Sequence, residues 1–357
     1  MKIITVLGAR PQFIKAATVS RALKKQNINE IIIHTGQHFD ANMSQVFFDE
    51  MEIPQPNYNL EISGLNHGAM TGRMLEKIED VLVKEKPDCV LVYGDTNSTL
   101  AGALAAAKLH IKVAHVEAGL RSFEMKMPEE INRILTDRIS SILFCPTETA
   151  IKNLEAEGFR NFNCRIEQPG DVMYDAVLHY KEKIETKASV IKSLGLRNGS
   201  FVLATLHRAE NTNDEKRLRE ICRAINEINS HTRVILPLHP RTKAFIESLQ
   251  IKLEATLISP VGYFDMLALL DHCKLVMTDS GGLQKEAYFF SKFCITLRDQ
   301  TEWIELVETG TNQLVGADFS KILNAFKVAS SAVFATQPLL YGNGTASELI
   351  AESLVKL

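Results

Sequence analysis

Residues 273–287 read CKLVMTDSGGLQKEA, which joins three kinds of segment in one short stretch. An apolar run typical of a buried strand is followed by an acid, a hydroxyl and two glycines, and then by a segment with helical character. A glycine-containing turn between a strand and a helix is a connection that parallel sheets covered by helices use repeatedly. The stretch therefore predicts an α/β fold.

The same alternation of strand and helix recurs along the chain. Short β-branched runs are separated by segments with helical spacing, such as RALKKQN and LAGALAAAKLH. The runs are KIITVLG, EIIIHTG, DCVLVYGD, KVAHVEAG, SILFCPT, FVLATLHR, TRVILPLHP, KLVMTDSG and FCITLRD. Strands that are apolar on both faces indicate doubly wound parallel sheets with helices on both sides.

The strand series pauses at residues 164–180, where a Pro-Gly turn precedes a helical pattern, and it restarts at Phe201. We therefore predict two domains, residues 1–172 and residues 173–344. The last segment predicts a helix, within residues 345–357, that packs back on the first domain. Because ligands bind at the carboxyl ends of strands in open α/β sheets, the two sheets are expected to face a central cleft.

Composition sets limits on the function. A chain of 357 residues with 45% hydrophobic and 23% charged residues is long enough for two domains. Its 40 basic and 43 acidic residues give a net charge of -3, which provides no general attraction to nucleic acid or to anionic lipid. Six dispersed cysteines without a C-x-x-C pair indicate neither disulfides nor zinc. With no signal peptide and no membrane-spanning run predicted, we expect a cytoplasmic protein.

The glycine turn is a candidate anion site. Gly281 and Gly282 expose backbone N–H groups at the positive end of a helix dipole, and Ser280 adds a hydroxyl. Glu286 follows on the same helix, where a carboxylate could accept hydrogen bonds from ribose hydroxyls. A capped helix without a ligand is the alternative. The turn matches neither the Walker A motif nor G-x-G-x-x-G, which disfavours classical ATPases and NAD enzymes.

Ten ordered motifs carry a resemblance over essentially the whole chain. They are LGARPQFIK, HTGQHFDANM, GDTNSTLAGA, HVEAGLRS, MPEEINR, LHRAEN, LHPR, TDSGGLQKEA, LRDQTE and YGNGTAS. The chain resembles the non-hydrolysing UDP-N-acetylglucosamine 2-epimerases. That resemblance implies a GT-B-like fold with two Rossmann-like domains, an N-terminal sugar-binding and catalytic domain, a C-terminal UDP-binding domain, and a homodimer. It also implies that Ser280, Gly281 and Gly282 hold the diphosphate and that Glu286 holds the ribose.

Inversion at C2 of a nucleotide sugar is difficult because the adjacent acetal carbon cannot stabilise a carbanion. Elimination of UDP followed by its re-addition avoids this problem, and it requires acid/base groups on both faces of the sugar. The carboxylate candidates are Asp95, Glu117 and either Glu129 or Glu130; a structural role is the alternative for each alone. The family resemblance implies the set Asp95, Glu117 and Glu129.

The departing diphosphate needs cations and donors, and several basic residues follow predicted strands. The candidates are Arg10, Lys15, His207, Arg208 and Arg298. Without the family pattern, Lys15 would be interpreted as a solvated surface lysine and His207 as a core histidine. The resemblance assigns His207 to the catalytic set and the other four to substrate binding. The histidines show no metal-ligand spacing, so neither a metal nor another cofactor is expected.

Two segments depart from the pattern of the enzymes that act on UDP-N-acetylglucosamine. Residues 301–305 read TEWIE where those enzymes typically have Thr-Glu-Arg-Pro-Glu, and Lys126 precedes the MPEE motif. Both features resemble the branch that epimerises UDP-2,3-diacetamido-2,3-dideoxyglucuronic acid for bacterial O-antigen. Lys126 could bind the sugar carboxylate and Trp303 could contact the 3-acetamido group. A surface lysine and a packing tryptophan are the alternatives.

Other functions stay open at this point. UDP-N-acetylglucosamine 2-epimerase is the alternative within the family. A GT-B glycosyltransferase would share the nucleotide half, a hydrolysing epimerase would release UDP, and a non-catalytic UDP-sugar binding protein would not need three carboxylates. A dinucleotide-binding dehydrogenase is disfavoured because no glycine fingerprint follows the first strand.

Overall fold

A computed structural model, which describes residues 1–37, 53–335 and 339–357, shows that the chain forms two compact units. Unit 1 comprises Met1–Ala176 and Leu339–Leu357, and unit 2 comprises Val177–Pro338. The HTGQHFDANM motif begins in unit 1, and its part from residue 38 onward lies outside the described residues. Within the described ranges, no helix is both long and apolar enough to cross a membrane.

The described part of unit 1 contains a sheet of seven parallel strands in the order β3-β2-β1-β4-β5-β6-β7. The central strands have buried side chains on both faces, as the apolar runs predicted. The strands are β1 (Lys2–Leu7), β2 (Asn29–His34), β3 (Tyr58–Asn59), β4 (Cys89–Tyr93), β5 (Lys112–Val116), β6 (Ile142–Phe144) and β7 (Arg165–Glu167).

Helices connect these strands and cover the sheet. One of them packs tightly on it, because an added Cβ at Gly102 would lie only 3.0 Å from a methyl group of Val6. The helices are α1 (Arg10–Lys25), α2 (His67–Glu85), α3 (Asn97–Lys108), α4 (Pro128–Ile139), α5 (Glu148–Ala156) and α6 (Val172–Lys181), with a 3-10 turn at Phe159–Asn161. α6 runs across the limit between the two units.

Unit 2 repeats this architecture with six parallel strands in the order β10-β9-β8-β11-β12-β13. The strands are β8 (Phe201–Thr205), β9 (Arg233–Pro237), β10 (Thr256–Ile258), β11 (Leu275–Thr278), β12 (Cys294–Thr296) and β13 (Asn312–Leu314). The helices are α7 (Ile184–Lys187), α8 (Val190–Ser193), α9 (Ala209–Thr212), α10 (Glu215–His231), α11 (Pro240–Ser248), α12 (Tyr263–His272), α13 (Gly281–Phe289), α14 (Ile304–Glu308) and α15 (Phe319–Ser331).

Helix α10 illustrates why these segments fold as they do. The Asp214 carboxylate accepts a hydrogen bond from the Arg217 backbone N–H at 3.0 Å and caps the helix. Its apolar residues recur at helical spacing, and burial of that face anchors the helix on the sheet. The buried residues are Leu218, Ile221, Cys222, Ala224, Ile225 and Ile228.

The last helix, α16 (Ala346–Val355), belongs to unit 1, although the whole of unit 2 precedes it in the chain. It packs against α1. The Asp175 carboxylate accepts hydrogen bonds from the backbone N–H groups of Ala346 (3.2 Å) and Ser347 (2.7 Å) at the start of α16. Arg165 in β7 donates a hydrogen bond of 2.7 Å to the Ser353 hydroxyl. The end of the chain therefore completes the first unit.

The α/β class with two doubly wound parallel sheets is confirmed, and all nine predicted strands are present. The prediction was incomplete, because among the residues that the structure describes it missed four strands of two or three residues, namely β3, β7, β10 and β13. These four form the edges of the two sheets. All six cysteines are free.

Candidate active site

Three predicted site segments of unit 1 follow strands that lie next to one another in its sheet. Arg10 begins the helix after β1, Asp95 follows β4, and Glu117 follows β5. The sheet order places these strands as β1-β4-β5. Because the strands are parallel, their carboxyl ends lie along the same edge of the sheet. The topology thus brings together residues that are up to about 100 positions apart in the sequence.

Lys15 and Glu117 form a buried ion pair. The Lys15 ammonium contacts the Glu117 carboxylate, and the side chains are 8% and 9% exposed. The interpretation of Lys15 as a solvated surface lysine is therefore wrong.

Asp95 is paired with Arg133, a residue on α4 that sequence reasoning did not select. The Arg133 guanidinium contacts the Asp95 carboxylate, and the neighbouring Asn132 amide donates a hydrogen bond of 2.9 Å to the Asp95 carbonyl. Burial raises the pKa of Asp95; the Arg133 and Lys15 charges oppose this rise, and Glu117 and Glu129 add to it. A carboxyl group with a raised pKa is suited to proton transfer.

The electrostatic influence of Glu129 on Asp95 places it near the same residues. We call Lys15, Asp95, Glu117, Glu129 and Arg133 the acid cluster.

The structure separates the two adjacent glutamates that the sequence left as alternatives. Glu130 is fully buried, and its carboxylate accepts hydrogen bonds of 2.9 Å from the Ser122 backbone N–H, the Ser122 hydroxyl and the Phe123 backbone N–H. This carboxylate is occupied in holding the loop before α4. Glu129 is only partly buried. The structure therefore favours Glu129 as the carboxylate available to a ligand.

Two further residues of unit 1 were predicted to contact substrate. Arg10 is partly buried at the first position of α1, next to Pro11. Lys126 is exposed in the loop before α4, where its backbone N–H donates a hydrogen bond of 2.9 Å to the Glu124 carboxylate. An exposed ammonium on this loop is accessible to an anionic group.

In unit 2, the glycine turn follows β11 and opens α13, as predicted. Ser280 is the N-cap residue, and its own backbone N–H donates a hydrogen bond of 2.9 Å to the Thr278 hydroxyl. An added Cβ at Gly282 would meet no heavy atom of the described residues within 4 Å. Glu286 lies on the same helix and is 7% exposed. The start of α13 therefore combines free space with the positive end of a helix dipole.

Arg208 lies beside this turn, since one of its guanidinium nitrogens is 3.7 Å from the position that a Cβ on Gly281 would take. The neighbouring His207 has a side chain that is 51% exposed, which argues against the core-histidine interpretation.

The His207 ring nitrogen Nδ1 lies 3.3 Å from the carboxylate of fully buried Asp279. Desolvation lowers the pKa of His207, Asp279 opposes this shift, and Arg208 and His239 reinforce it. A histidine with a lowered pKa is neutral at neutral pH.

Asp279 organises this region of unit 2 and was not among the predicted site residues. Its carboxylate accepts hydrogen bonds from the backbone N–H groups of His207 (3.1 Å) and Arg208 (2.9 Å) and from the Asn211 amide (3.2 Å). Asp279 therefore fixes the backbone that carries both His207 and Arg208. Its position directly before Ser280 in the quoted motif was the available signal.

Arg298 and Trp303 are both interior residues. Arg298 is 2% exposed, and its guanidinium donates a hydrogen bond of 2.9 Å to the Glu302 carboxylate. Trp303 is 3% exposed, and the Lys285 ammonium lies 4.1 Å from the centre of its ring. This position favours the packing interpretation of Trp303. Among the described residues, no three His, Cys, Asp or Glu side chains are grouped as a metal site requires.

The family model described as UDP-N-acetylglucosamine 2-epimerase matches residues 21–355, and the chain belongs to this family. A relative from Pseudomonas aeruginosa PAO1, named UDP-2,3-diacetamido-2,3-dideoxy-D-glucuronate 2-epimerase, is 57% identical over 359 residues, covering 100% of both chains.

Two solved structures are similar along their whole length. The Methanocaldococcus jannaschii UDP-GlcNAc 2-epimerase in complex with UDP-GlcNAc and UDP has a TM-score of 0.92 and 44% identity, with 100% of both chains covered. The Neisseria meningitidis UDP-GlcNAc 2-epimerase bound to UDP-GlcNAc has a TM-score of 0.90 and 33% identity, again covering 100% of both chains. These similarities confirm the GT-B-like fold class.

Proposed function

We propose that the protein is a non-hydrolysing 2-epimerase that converts UDP-2,3-diacetamido-2,3-dideoxyglucuronic acid to its manno isomer. The observation that carries this proposal is the 57% identity, over the full length of both chains, to the Pseudomonas aeruginosa relative of that name. The acid cluster of unit 1 and the glycine turn of unit 2 supply the residue types that the reaction needs.

The proposed reaction breaks two bonds and later restores both. A carboxylate removes the C2 proton, the C1–oxygen bond breaks with its electron pair going to UDP, and a C1–C2 double bond forms. UDP then adds back to C1 while a second acid delivers a proton to the opposite face of C2. Asp95, Glu117 and Glu129 are the proposed acid/base groups, since inversion at C2 by this route needs acid/base groups on both faces of the sugar.

The leaving diphosphate is negatively charged, and residues of unit 2 supply hydrogen-bond donors and a cation for it. We assign it to the Ser280 hydroxyl and the backbone N–H groups of Gly281 and Gly282, with Arg208 beside them. His207 is neutral at neutral pH because its pKa is lowered, so its ring is suited to donate a hydrogen bond rather than a full charge. Arg10, Lys15 and Arg298 complete the proposed set of cations. Arg298 lies in the interior, where its guanidinium is paired with the Glu302 carboxylate.

The competing substrate is UDP-N-acetylglucosamine, because the 44% identical Methanocaldococcus jannaschii enzyme was solved in complex with that compound. The exposed ammonium of Lys126 is the feature that favours the uronic acid, since a sugar carboxylate requires a cationic or hydrogen-bonding partner. Trp303, as a buried residue of unit 2, does not add to this argument.

The substrate assignment is tested by offering both UDP-sugars to the purified protein. We expect kcat/KM for the diacetamido uronic acid to exceed that for UDP-N-acetylglucosamine by at least about 100-fold, or roughly 2.7 kcal/mol of transition-state discrimination. Lys126→Met should reduce the preference mainly by slowing the uronic acid. Equal or faster turnover of UDP-N-acetylglucosamine would assign the chain to that activity instead.

The mechanism is tested in D2O. Product formed by elimination and re-addition carries deuterium at C2, which NMR of early product detects, and it is again a UDP-sugar. Activity should also survive exhaustive EDTA treatment and removal of NAD. Retention of the original hydrogen at C2, or recovery of a chelated enzyme by metal or NAD, would contradict this route.

We further propose a cytoplasmic homodimer that serves bacterial surface polysaccharide synthesis, including O-antigen. The family resemblance supports the dimer, and exposed apolar side chains on α4, Ile131 (40% exposed) and Leu135 (46%), offer a surface for it. Light scattering of the purified protein tests this proposal. A monomer at micromolar concentration, or a dimer that Leu135→Glu leaves intact, would contradict this surface assignment.

A further inference from the structure

Four ionisable side chains form a chain of alternating charge in unit 1 that the proposed mechanism does not use. It runs from His115 on β5 through Asp137 on α4 to Arg121 and Glu157. The first three side chains are fully buried, and Glu157 is 33% exposed. Burial of three ionisable groups is costly unless each is hydrogen-bonded, so this arrangement requires an explanation.

His115 must donate hydrogen bonds from both of its ring nitrogens. Its Nε2 lies 2.7 Å from the Gly94 carbonyl oxygen, which can only accept. Its Nδ1 lies 2.7 Å from one oxygen of Asp137, which also only accepts when the carboxyl group is ionised. Hydrogen-bond accounting therefore assigns His115 as an imidazolium.

Asp137 is held in its ionised form and uses its second oxygen for two more bonds. That oxygen accepts hydrogen bonds from the Gly119 backbone N–H (3.1 Å) and the Arg121 guanidinium (2.7 Å). Burial acts to raise the pKa of Asp137, but the hydrogen bonds and charges of His115 and Arg121 outweigh it and lower the pKa. Arg121 in turn donates two hydrogen bonds, of 2.6 and 2.8 Å, to the Glu157 carboxylate.

Asp137 thereby reaches both turns that carry the proposed acid/base residues. Through His115 it fixes the Gly94 carbonyl, one residue before Asp95. Directly, it fixes the Gly119 N–H, two residues after Glu117.

The second of these turns needs such support. Glu117 has a positive φ of 70°, a left-handed conformation that is strained for a residue with a side chain. Strain of this kind costs about 1–3 kcal/mol and persists only where the surrounding structure fixes the backbone. In this turn, the Phe144 carbonyl accepts hydrogen bonds of 3.1 Å from the Glu117 and Ala118 N–H groups, and Asp137 accepts the next one from Gly119.

We propose that Asp137, acting in part through His115, is a positioning residue that sets the separation of the Asp95 and Glu117 carboxylates. This inference rests on the proposed function, because it assumes that those two carboxylates perform the proton transfers. Asp137 is not among the residues proposed to contact substrate, so its removal should lower kcat through misplacement of the two carboxylates and leave UDP binding unchanged.

The decisive comparison is between Asp137→Ala and Asp137→Asn. The alanine variant loses every contact to both turns, and we expect kcat to fall about 100-fold, the usual effect of a misplacement near 1 Å. An asparagine oxygen can still accept from Gly119 and Arg121, while its amide N–H donates to Nδ1 of a now neutral His115, whose Nε2–H still reaches Gly94. We expect Asp137→Asn to recover kcat to within about 3-fold of wild type. The negative charge lost at residue 137 is balanced by the positive charge lost at His115, and the hydrogen bonds are kept.

A matched control separates positioning from loss of stability. Ile78→Ala removes a fully buried side chain of α2 in the same unit that takes part in none of the hydrogen bonds described above. It should lower the melting temperature without lowering kcat. The inference is overturned if Asp137→Ala keeps wild-type kcat, if Asp137→Asn fails to recover kcat, or if Ile78→Ala reproduces the loss.

A spectroscopic measurement decides the matter if Asp137→Ala does not fold. In protein with 15N-labelled histidine, one histidine of the wild type should have hydrogens on both ring nitrogens and should become a neutral Nε2–H ring in Asp137→Asn. A wild-type spectrum without such a histidine, or one that the substitution leaves unchanged, overturns the inference.

Failure of the proposed function gives a different result. If the wild type does not epimerise a UDP-sugar, the proposed function is wrong. If it does so but Asp95→Asn and Glu117→Gln keep full activity, the acid/base roles given to these two carboxylates are wrong. If those tests succeed and the Asp137 series fails, only the positioning role is wrong.

Discussion

The candidate residues of the two units differ in how their charges are arranged. In unit 1, the Asp95 and Glu117 carboxylates already contact protein cations, Arg133 and Lys15. In unit 2, the start of α13 has free space at Gly282, and the His207 side chain is half exposed. Preorganised charges require no rearrangement when proton transfer occurs, whereas a binding site for a large anion must leave room for it. The difference supports a division into a chemical half and a nucleotide half.

The strongest test of this division removes a carboxylate from unit 1. Asp95→Asn and Glu117→Gln should each lower kcat by roughly two to four orders of magnitude, the usual contribution of a positioned acid or base. UDP should still raise the melting temperature of both variants as it does in wild type, since neither carboxylate is among the groups proposed to bind the diphosphate. Turnover assays and thermal-shift measurements check both expectations.

Glu76→Gln, a substitution of the same kind at an exposed position on α2, should change neither quantity. Loss of the UDP response in Asp95→Asn or Glu117→Gln would place that carboxylate in the nucleotide site and remove the distinction between the units.

The reciprocal test fills the free space in unit 2. In Gly282→Val, the new side chain would occupy the proposed position of the diphosphate, so UDP should no longer stabilise the fold. Wild type at a UDP concentration of about 100 times Kd should gain roughly 2.7 kcal/mol of stability from the ligand, and this gain should vanish.

Gly72→Val is the matched control, because Gly72 also lies in a helix, where an added Cβ meets no described atom within 4 Å. It should keep the UDP response. An unchanged thermal shift in Gly282→Val would show that the turn is only a helix cap.

Arg133 offers a test within the acid cluster that depends on pH. Its positive charge opposes the rise in the pKa of Asp95 that burial causes, so removing the charge should raise that pKa further. In Arg133→Met, the limb of the kcat/KM profile that reports Asp95 should therefore move to higher pH. If Asp95 is the base, its pKa sets the acidic limb of the profile; if it is the acid, its pKa sets the basic limb. A raised pKa moves either limb to higher pH.

Arg133→Lys keeps the charge and should show the smaller displacement, although it loses the planar geometry of the guanidinium. A shift of either limb to lower pH, or none in either variant, would contradict the electrostatic role given to Arg133.

The smallest expected effect concerns Trp303, which the sequence offered as a specificity residue. Trp303→Phe should lower stability by about 1 kcal/mol, because a smaller and less electron-rich ring faces the buried Lys285 ammonium. The ratio of kcat/KM values for the two UDP-sugars should stay within about 2-fold of wild type, since a packing residue does not contact substrate. A larger change in that ratio, with unchanged stability, would restore Trp303 as a determinant of specificity.

The fold was largely predictable, and the missed strands share a physical reason. Strands that are buried on both faces have continuous apolar sequences. All nine runs of this kind form strands in the structure. The four edge strands contain only two or three residues, such as Tyr58–Asn59, and too few side chains to show a pattern.

The partners of the candidate site residues were less predictable than the residues themselves. Asp95 and Glu117 could be chosen because they end apolar strands. Arg133 lies 38 positions from Asp95 and meets it because α4 packs against α3, the helix that follows Asp95. In the sequence, His115 is one more residue of a buried strand, and only the structure shows that both of its ring nitrogens form hydrogen bonds. Such pairings depend on the packing of helices against the sheet, which one sequence does not reveal.

The position of α16 has a consequence for how the chain is made. The helix packs in unit 1, yet the ribosome must synthesise all of unit 2 before α16 emerges. Unit 2 is one continuous segment, so its strands have all been synthesised before the last helix of unit 1. Domains usually fold in order from the N-terminus, but here unit 2 can finish folding before unit 1. Until α16 is made, α1 lacks the helix that packs against it, and the Asp175 carboxylate lacks the backbone N–H groups that it binds. In a nascent chain stalled before Ala346, we therefore expect protease to cleave unit 1 while unit 2 resists.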